Sequence, residues 1–133
     1  MNDELFGFVI DNDIQFDIAK KRLMRISAES PERGMMIGAV SLNDVMARFL
    51  LCLLKNRLND KHQVTRQSLL KDVWEDHDLV ASSQQLWKTV RNLKIKLVSI
   101  GLPQDFINTS GIYYSIGNYT VTPLFYRRIP SFF

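Results

Sequence analysis

The sequence has one cysteine, four prolines and six glycines in 133 residues, and no unbroken hydrophobic run longer than six. A single Cys52 excludes an intramolecular disulfide and any multi-cysteine zinc site. The longest hydrophobic run, 49–54, is far short of the about 20 residues that span a bilayer. The opening Met1-Asn2-Asp3-Glu4 lacks the basic flank and apolar stretch of a signal peptide. There is no Gly-x-x-x-x-Gly-Lys phosphate cradle, no familiar Ser or Cys nucleophile motif, no internal repeat and no low-complexity segment. What is there is globular: hydrophobic residues make up 46% and charged residues 23%. A chain of this length buries roughly two-thirds of its unfolded surface without staples. The expectation is one soluble, cytoplasmic domain over residues 1–133.

The net charge of +3 conceals a strong polarity. Residues 1–17 hold five acids and no Lys or Arg, a local charge of −5, which leaves +8 for the rest. Between Leu79 and Gln104 there is no acid, while Lys88, Arg91, Lys94 and Lys96 supply four positive charges. Concentrated basic charge within one predicted helix points to a polyanion more directly than the overall pI does.

The first forty residues read as strands. Phe6-Gly7-Phe8-Val9-Ile10 is rich in β-formers, Asp11-Asn12-Asp13 is a turn cluster, and Ile14-Gln15-Phe16-Asp17-Ile18 alternates apolar with polar. Arg22-Leu23-Met24-Arg25-Ile26 gives a third strand. Ser30-Pro31-Glu32-Arg33-Gly34 signals a loop, and residues 35–40 a fourth strand. After Leu42 the period changes. Asn43 can cap a helix to about residue 56, broken at Asn59-Asp60-Lys61. Thr65 is a good N-cap for a second helix with core positions Leu69, Leu70 and Val73 and with Trp74 at its end. Ser82 and Gln85 have capping-box spacing and open a third helix of about 17 residues, stopped near Gly101-Leu102-Pro103. Residues 106–109 and 113–116 then read as a hairpin joined at Ser110-Gly111, with residues 118–125 extending or following it. The order is an α+β domain: an N-terminal antiparallel sheet (about 6–40), a three-helix core (about 43–101), a hairpin (about 105–118) and a C-terminal tail.

On a wheel at about 100° per residue, Leu86, Val90, Leu93 and Leu97 of the third helix form one narrow stripe that must face the core. Opposite lie Gln84, Lys88, Arg91 and Ile95, flanked by Gln85 and Asn92 on one edge and Trp87 and Lys94 on the other. Arg and Lys pair with guanine, Gln and Asn with adenine, and an α-helix fits the major groove of B-DNA. Lys96, nearer the helix flank, is expected to contact phosphate without sequence preference. A charged helix face can also be plain solvated surface, but the helix–turn–helix order and the following hairpin favour DNA.

Other chemistry has less support. Glu75-Asp76-His77-Asp78 lacks a second well-spaced His or Cys, since His62 is 15 residues away, and it reads as a solvated connection. Asp72 and Asp76 are helix-end charges rather than an acid–base pair. Cys52, among leucines, reads as packing, and Trp74 as core. Trp87 packs against the sheet or hairpin, or lies partly exposed beside DNA. No catalysis, metal or cofactor is expected. A small enzyme built around His77 is the weakest rival.

With these elements placed, the chain resembles the OmpR/PhoB-type winged-helix DNA-binding domain over about residues 6–120, and in style the ToxR/CadC-like regulators that lack a receiver domain. The resemblance rests on Leu42-Asn43 with Phe49-Leu50 and Leu53. Its most specific part is Thr65-Arg66-Gln67-Ser68-Leu69-Leu70-Lys71-Asp72-Val73-Trp74, similar to the Ser/Thr-Arg-x-x-Leu-x-x-x-Val-Trp signature of the second helix. Val90-Arg91-Asn92-Leu93-Lys94-Ile95-Lys96-Leu97 is similar to the recognition-helix pattern Ile-x-x-Leu-Arg-x-x-Leu, and residues 107–114 resemble the wing. Met46 stands where Glu is frequent, Asn92 and Lys94 where Arg is frequent, and the wing is about one residue and one glycine short. The resemblance implies a sequence-specific regulator of transcription on double-stranded DNA. The third helix, with Gln84, Gln85, Lys88, Arg91, Asn92 and Lys94, enters the major groove, and the wing, with Thr109, Ser110 and Gly111, reaches toward the minor groove. Thr65 and Arg66 bind phosphate through backbone N–H groups and side chain. It further implies contacts of the 75–80 loop with RNA polymerase or a co-regulator, and a monomer or weak dimer that pairs on DNA. A membrane enters only if the chain continues beyond Phe133, as in membrane-anchored relatives. The alternative is a winged-helix protein-interaction module without specific DNA binding.

Overall fold

The computed structural model describes residues 3–26 and 38–127. The expected 30–34 loop, the start of the expected fourth strand at 35–37 and the run 128–133 lie outside the described residues. The fold is α+β, with two antiparallel sheets and the helices following the first four strands, interrupted by one short strand.

Four N-terminal strands form a meander: β1 (Asp3–Ile10), β2 (Ile14–Asp17), β3 (Arg22–Arg25) and β4 (Ala39–Ser41). The β1–β2 turn is closed by Asp13 N–H donating to the Ile10 carbonyl, with Asp11 and Asn12 both at positive φ, a conformation Asp and Asn tolerate better than other side chains. The alternation fixes the register. Leu23, Phe16 and Phe8 are opposite one another across three strands and all are fully buried. The tail does not follow the hairpin. Residues Val121–Arg127 form the last strand, β8, which pairs with β1 from Ile10↔Val121 to Asp3↔Arg127 and completes a sheet of order β4-β3-β2-β1-β8. Tail and hairpin are neighbours in sequence, but β1 offers the tail a long open ladder. Arg127 and Asp3 form an ion pair at 3.1 Å there, so part of the acidic N-terminal charge is matched within the sheet. Pro123 sits in this outermost strand, where a missing N–H costs no ladder bond and removes a donor from the free edge.

Helix α1 (Asp44–Leu58) starts where Asn43 accepts the Met46 N–H at 2.8 Å. It ends in a left-handed residue, Asp60, with Lys61 N–H on the Asn56 carbonyl. It buries Met46, Ala47, Phe49, Leu50, Leu53 and Leu54. The second helix departs from expectation. It opens as α2 (Arg66–Leu69), capped by Thr65, then widens over Leu70–Trp74 into a π-turn in which Glu75 N–H reaches Leu70, and tightens into a 3₁₀ turn over Glu75–His77. This widening goes with burial of both Val73 and Trp74, while Leu70, expected in the core, is only half-buried.

Helix α3 (Ser83–Ser99) has the predicted length. Ser82 accepts the Gln85 N–H at 3.1 Å, and Leu86, Val90, Leu93 and Leu97 are its buried stripe. It stops in a Schellman motif: Leu102 N–H on Leu97, Gly101 N–H on Val98, with Gly101 at φ 106. After a 3₁₀ turn at Gln104–Phe106, strands β6 (Ile107–Ser110) and β7 (Tyr113–Ile116) form the hairpin, and the short β5 (Val64–Thr65) pairs with β7 to give a second sheet of order β5-β7-β6. Tyr114 of β7 meets Phe49 of α1 edge-on, centroids 6.2 Å apart, which fastens the hairpin to the helical core. Among the described residues no helix is long and apolar enough to cross a membrane.

Candidate nucleic-acid interface

The wheel places Gln84, Gln85, Lys88, Arg91 and Asn92 away from the core, and all five are exposed. Gln84, Gln85, Lys88 and Asn92 make no side-chain hydrogen bond or ion pair among the described residues. Lys94 is half-buried at the edge of the helix. Arg91 is engaged: its guanidinium lies over the Trp87 ring, 5.5 Å from the centroid. Four residues apart on a helix, these two side chains are neighbours, and the stack holds a planar cation at the surface. Trp87 itself is 61% exposed, beside the hairpin rather than under it.

Between α3 and the hairpin runs an open groove of about 550 Å³. Arg91, Lys94, Ile95 and Val98 line it from the helix, Thr109, Gly111 and Tyr114 from the hairpin, and no acid lines it. The fold thus brings two of the expected helix residues and two of the expected wing residues to one surface, while Ser110 stands exposed at the tip. The turn comprises Gly111 and Ile112, one residue later than expected, because Ser110 pairs with Tyr113. Gly111 takes φ +62 at the first central position, where a two-residue hairpin favours glycine.

Thr65 and Arg66 are arranged differently from the expectation of phosphate-binding N–H groups. The Arg66 N–H donates to the Ile112 carbonyl at 2.7 Å, and the Ser68 N–H donates to Thr65 Oγ1 at 3.1 Å. Both of these donors are therefore taken within the domain. The first of these bonds ties the hairpin tip to the start of α2, a link that no local sequence pattern announces. Lys96 is also corrected. Its ammonium donates to the Ser41 carbonyl of β4, so at least one of its three donors joins α3 to the sheet, a structural role the expectation did not include.

The 75–80 segment is exposed throughout, with Val80 at 87% beside the acids Glu75, Asp76 and Asp78. Lys71 holds Asp76 at 3.2 Å, and that carboxylate raises the Lys71 pKa. Cys52, Asp72 and His77 share a shallow groove between α1 and the π-turn. The Cys52 thiol lies 4.0 Å from Asp72, and burial, helped by that negative charge, pushes its pKa up to about 11, away from the thiolate a nucleophile needs. Among the described residues no group of three or more His, Cys, Asp or Glu is arranged to hold a metal ion.

Neither a family model nor a curated protein matches this chain.

Proposed function

We propose that this chain is a winged-helix domain of the OmpR/PhoB type that binds double-stranded DNA sequence-specifically and regulates transcription, without catalysis. Helix α3 enters the major groove and the β6–β7 hairpin reaches toward the minor groove. One observation carries the reading: the outward face of α3 holds exposed amides and cations, with no acid from Leu79 to Gln104 to repel phosphate. The adjoining groove, which places Thr109 and Gly111 beside Arg91 and Lys94, supports a joint helix-and-wing footprint. On this reading the exposed 75–80 segment is left to meet RNA polymerase or a co-regulator, and the domain pairs on repeated half-sites.

If Lys88, Arg91, Lys94 and further cations displace counterions from about four to six phosphates, log affinity for duplex DNA falls against log salt with a slope of about −4 to −5. A gel-shift titration measures this. Affinity unchanged between low and moderate salt overturns the DNA reading. The second reading, a protein-interaction module, is favoured by the exposure of Trp87, Ile95 and Val98 along the groove, and that same salt-independent result passes the surface to it.

A further inference from the structure

Ile95 is an aliphatic residue at the centre of a face otherwise edged by amides and cations, with Trp87 exposed on its flank. By angle it falls between Lys88 and Arg91, at the centre of the outward side of α3, and it is 59% exposed. One turn on, Val98 is exposed as well, and both line the groove beside Arg91. Solubility does not call for a branched aliphatic side chain there, and the core does not use it. An occupant of this face must be anionic, to suit Lys88, Arg91 and Lys94, and must offer a small apolar group at the centre of the contact. Among base edges in the B-DNA major groove, the thymine 5-methyl is the apolar feature.

Resting on the DNA reading above, we infer that Ile95 is a specificity-determining residue that seats against thymine 5-methyl groups, with Val98 extending the same apolar ridge. The stack of Arg91 on Trp87 keeps the neighbouring guanidinium from folding across Ile95, so the cation and the aliphatic side chain address adjacent base pairs. The preferred duplex then carries thymine opposite the middle of α3.

The probe is a duplex selected by the protein from a random pool, resynthesised with deoxyuridine for thymidine one position at a time. This exchange removes a methyl and leaves every hydrogen-bonding group in place. Wild type loses about fourfold in affinity at one or two positions, the equivalent of ~0.8 kcal/mol for a methyl-sized group. Ile95→Ala, its fold checked by circular dichroism, binds the thymidine and deoxyuridine duplexes alike, and Ile95→Val keeps most of the discrimination. A selected motif without thymine, or equal wild-type affinity for both duplexes with the salt slope intact, overturns the role of Ile95 and leaves the DNA reading standing. If no sequence is enriched and binding does not respond to salt, both readings fall together and the face belongs to a protein partner.

Discussion

Helices α1 and α3 are nearly the same length, 15 and 17 residues, and each is capped by a side chain at its start and closed by a left-handed residue beyond its end. Their polar side chains have opposite fates. In α1, Arg48 donates to the Val73 carbonyl, Asn56 to the Cys52 carbonyl, and Arg57 to the carbonyls of Ile116, Gly117 and Tyr119. In α3, Gln84, Gln85, Lys88 and Asn92 end in solvent, and among the described residues Lys96 is the polar side chain that reaches another element. Polar groups tied to backbone carbonyls stabilise the fold, and the same groups left without partners on one face are available to something outside. The difference teaches that α1 is the joint of the domain and α3 its presented surface, although by composition both helices are amphipathic and basic.

The sharpest way to break this comparison is to truncate one cation on each helix. Arg57 closes three hydrogen bonds at 2.9–3.2 Å onto the turn between β7 and β8, all of them part-buried. Arg57→Ala should cost about 3 kcal/mol, since charged hydrogen bonds are lost and carbonyls are left unsatisfied. Lys88→Ala should stay within ~0.5 kcal/mol of wild type, as surface substitutions do. Urea denaturation measures both. Equal losses from the two substitutions would erase the distinction between joint and surface.

The difference between the helices also explains what could be read from the sequence. Short-range features were legible: the caps Asn43, Thr65 and Ser82, the Gly101 stop, the buried stripe of α3 and its outward amides and cations all depend on spacings of five residues or fewer. The long-range ones were not. Arg57 reaches across about sixty residues, Lys96 across 55 to Ser41, and β8 returns more than a hundred residues to β1. A basic residue written Arg or Lys carries no mark of whether its donors will meet carbonyls or water. Spacing alone therefore assigns Lys96 to phosphate and gives Arg57 no partner. The π-turn at Leu70–Trp74 is hidden for a related reason, because the capping and apolar spacing of Thr65–Leu69 announce an α-helix and nothing local marks the widening to a π-turn or the 3₁₀ turn that follows.

A smaller effect sharpens the comparison from the other side. Arg91→Ala removes the cation stacked on Trp87, and with it an exposed contact worth only ~0.5–1 kcal/mol. Stability should move little. Selection from a random duplex pool should change, because a bidentate Arg–guanine contact typically contributes ~1–3 kcal/mol of discrimination. The ratio of specific to non-specific affinity should therefore drop, whereas Lys88→Ala, if it meets phosphate, lowers both together. An identical preferred motif from wild type and Arg91→Ala would take Arg91 off the reading face.

The smallest expected effect concerns a polar contact of α1 that lies wholly at the surface. Asp44, in the first turn, meets Lys21 at 2.7 Å with both side chains largely exposed. The hydrogen bond from Lys21 and its positive charge hold the Asp44 carboxyl below its ordinary value. A group whose folded pKa is depressed contributes stability above its unfolded pKa, about 3.9, and loses that contribution as pH falls through the lower folded value. Asp44→Asn keeps the shape and removes the charge, and it also withdraws an anion from the positive end of the helix. The variant should be slightly less stable than wild type at neutral pH, by an amount that shrinks with added salt, because exposed pairs are screened. In acid, below both pKa values, the two urea midpoints should converge. A gap that persists there would mean that Asp44 acts through its shape or its hydrogen bonding to backbone, and α1 would then owe its joint to Asn43 and the carbonyl contacts of Arg48 and Arg57 without help from charge at its N-terminus.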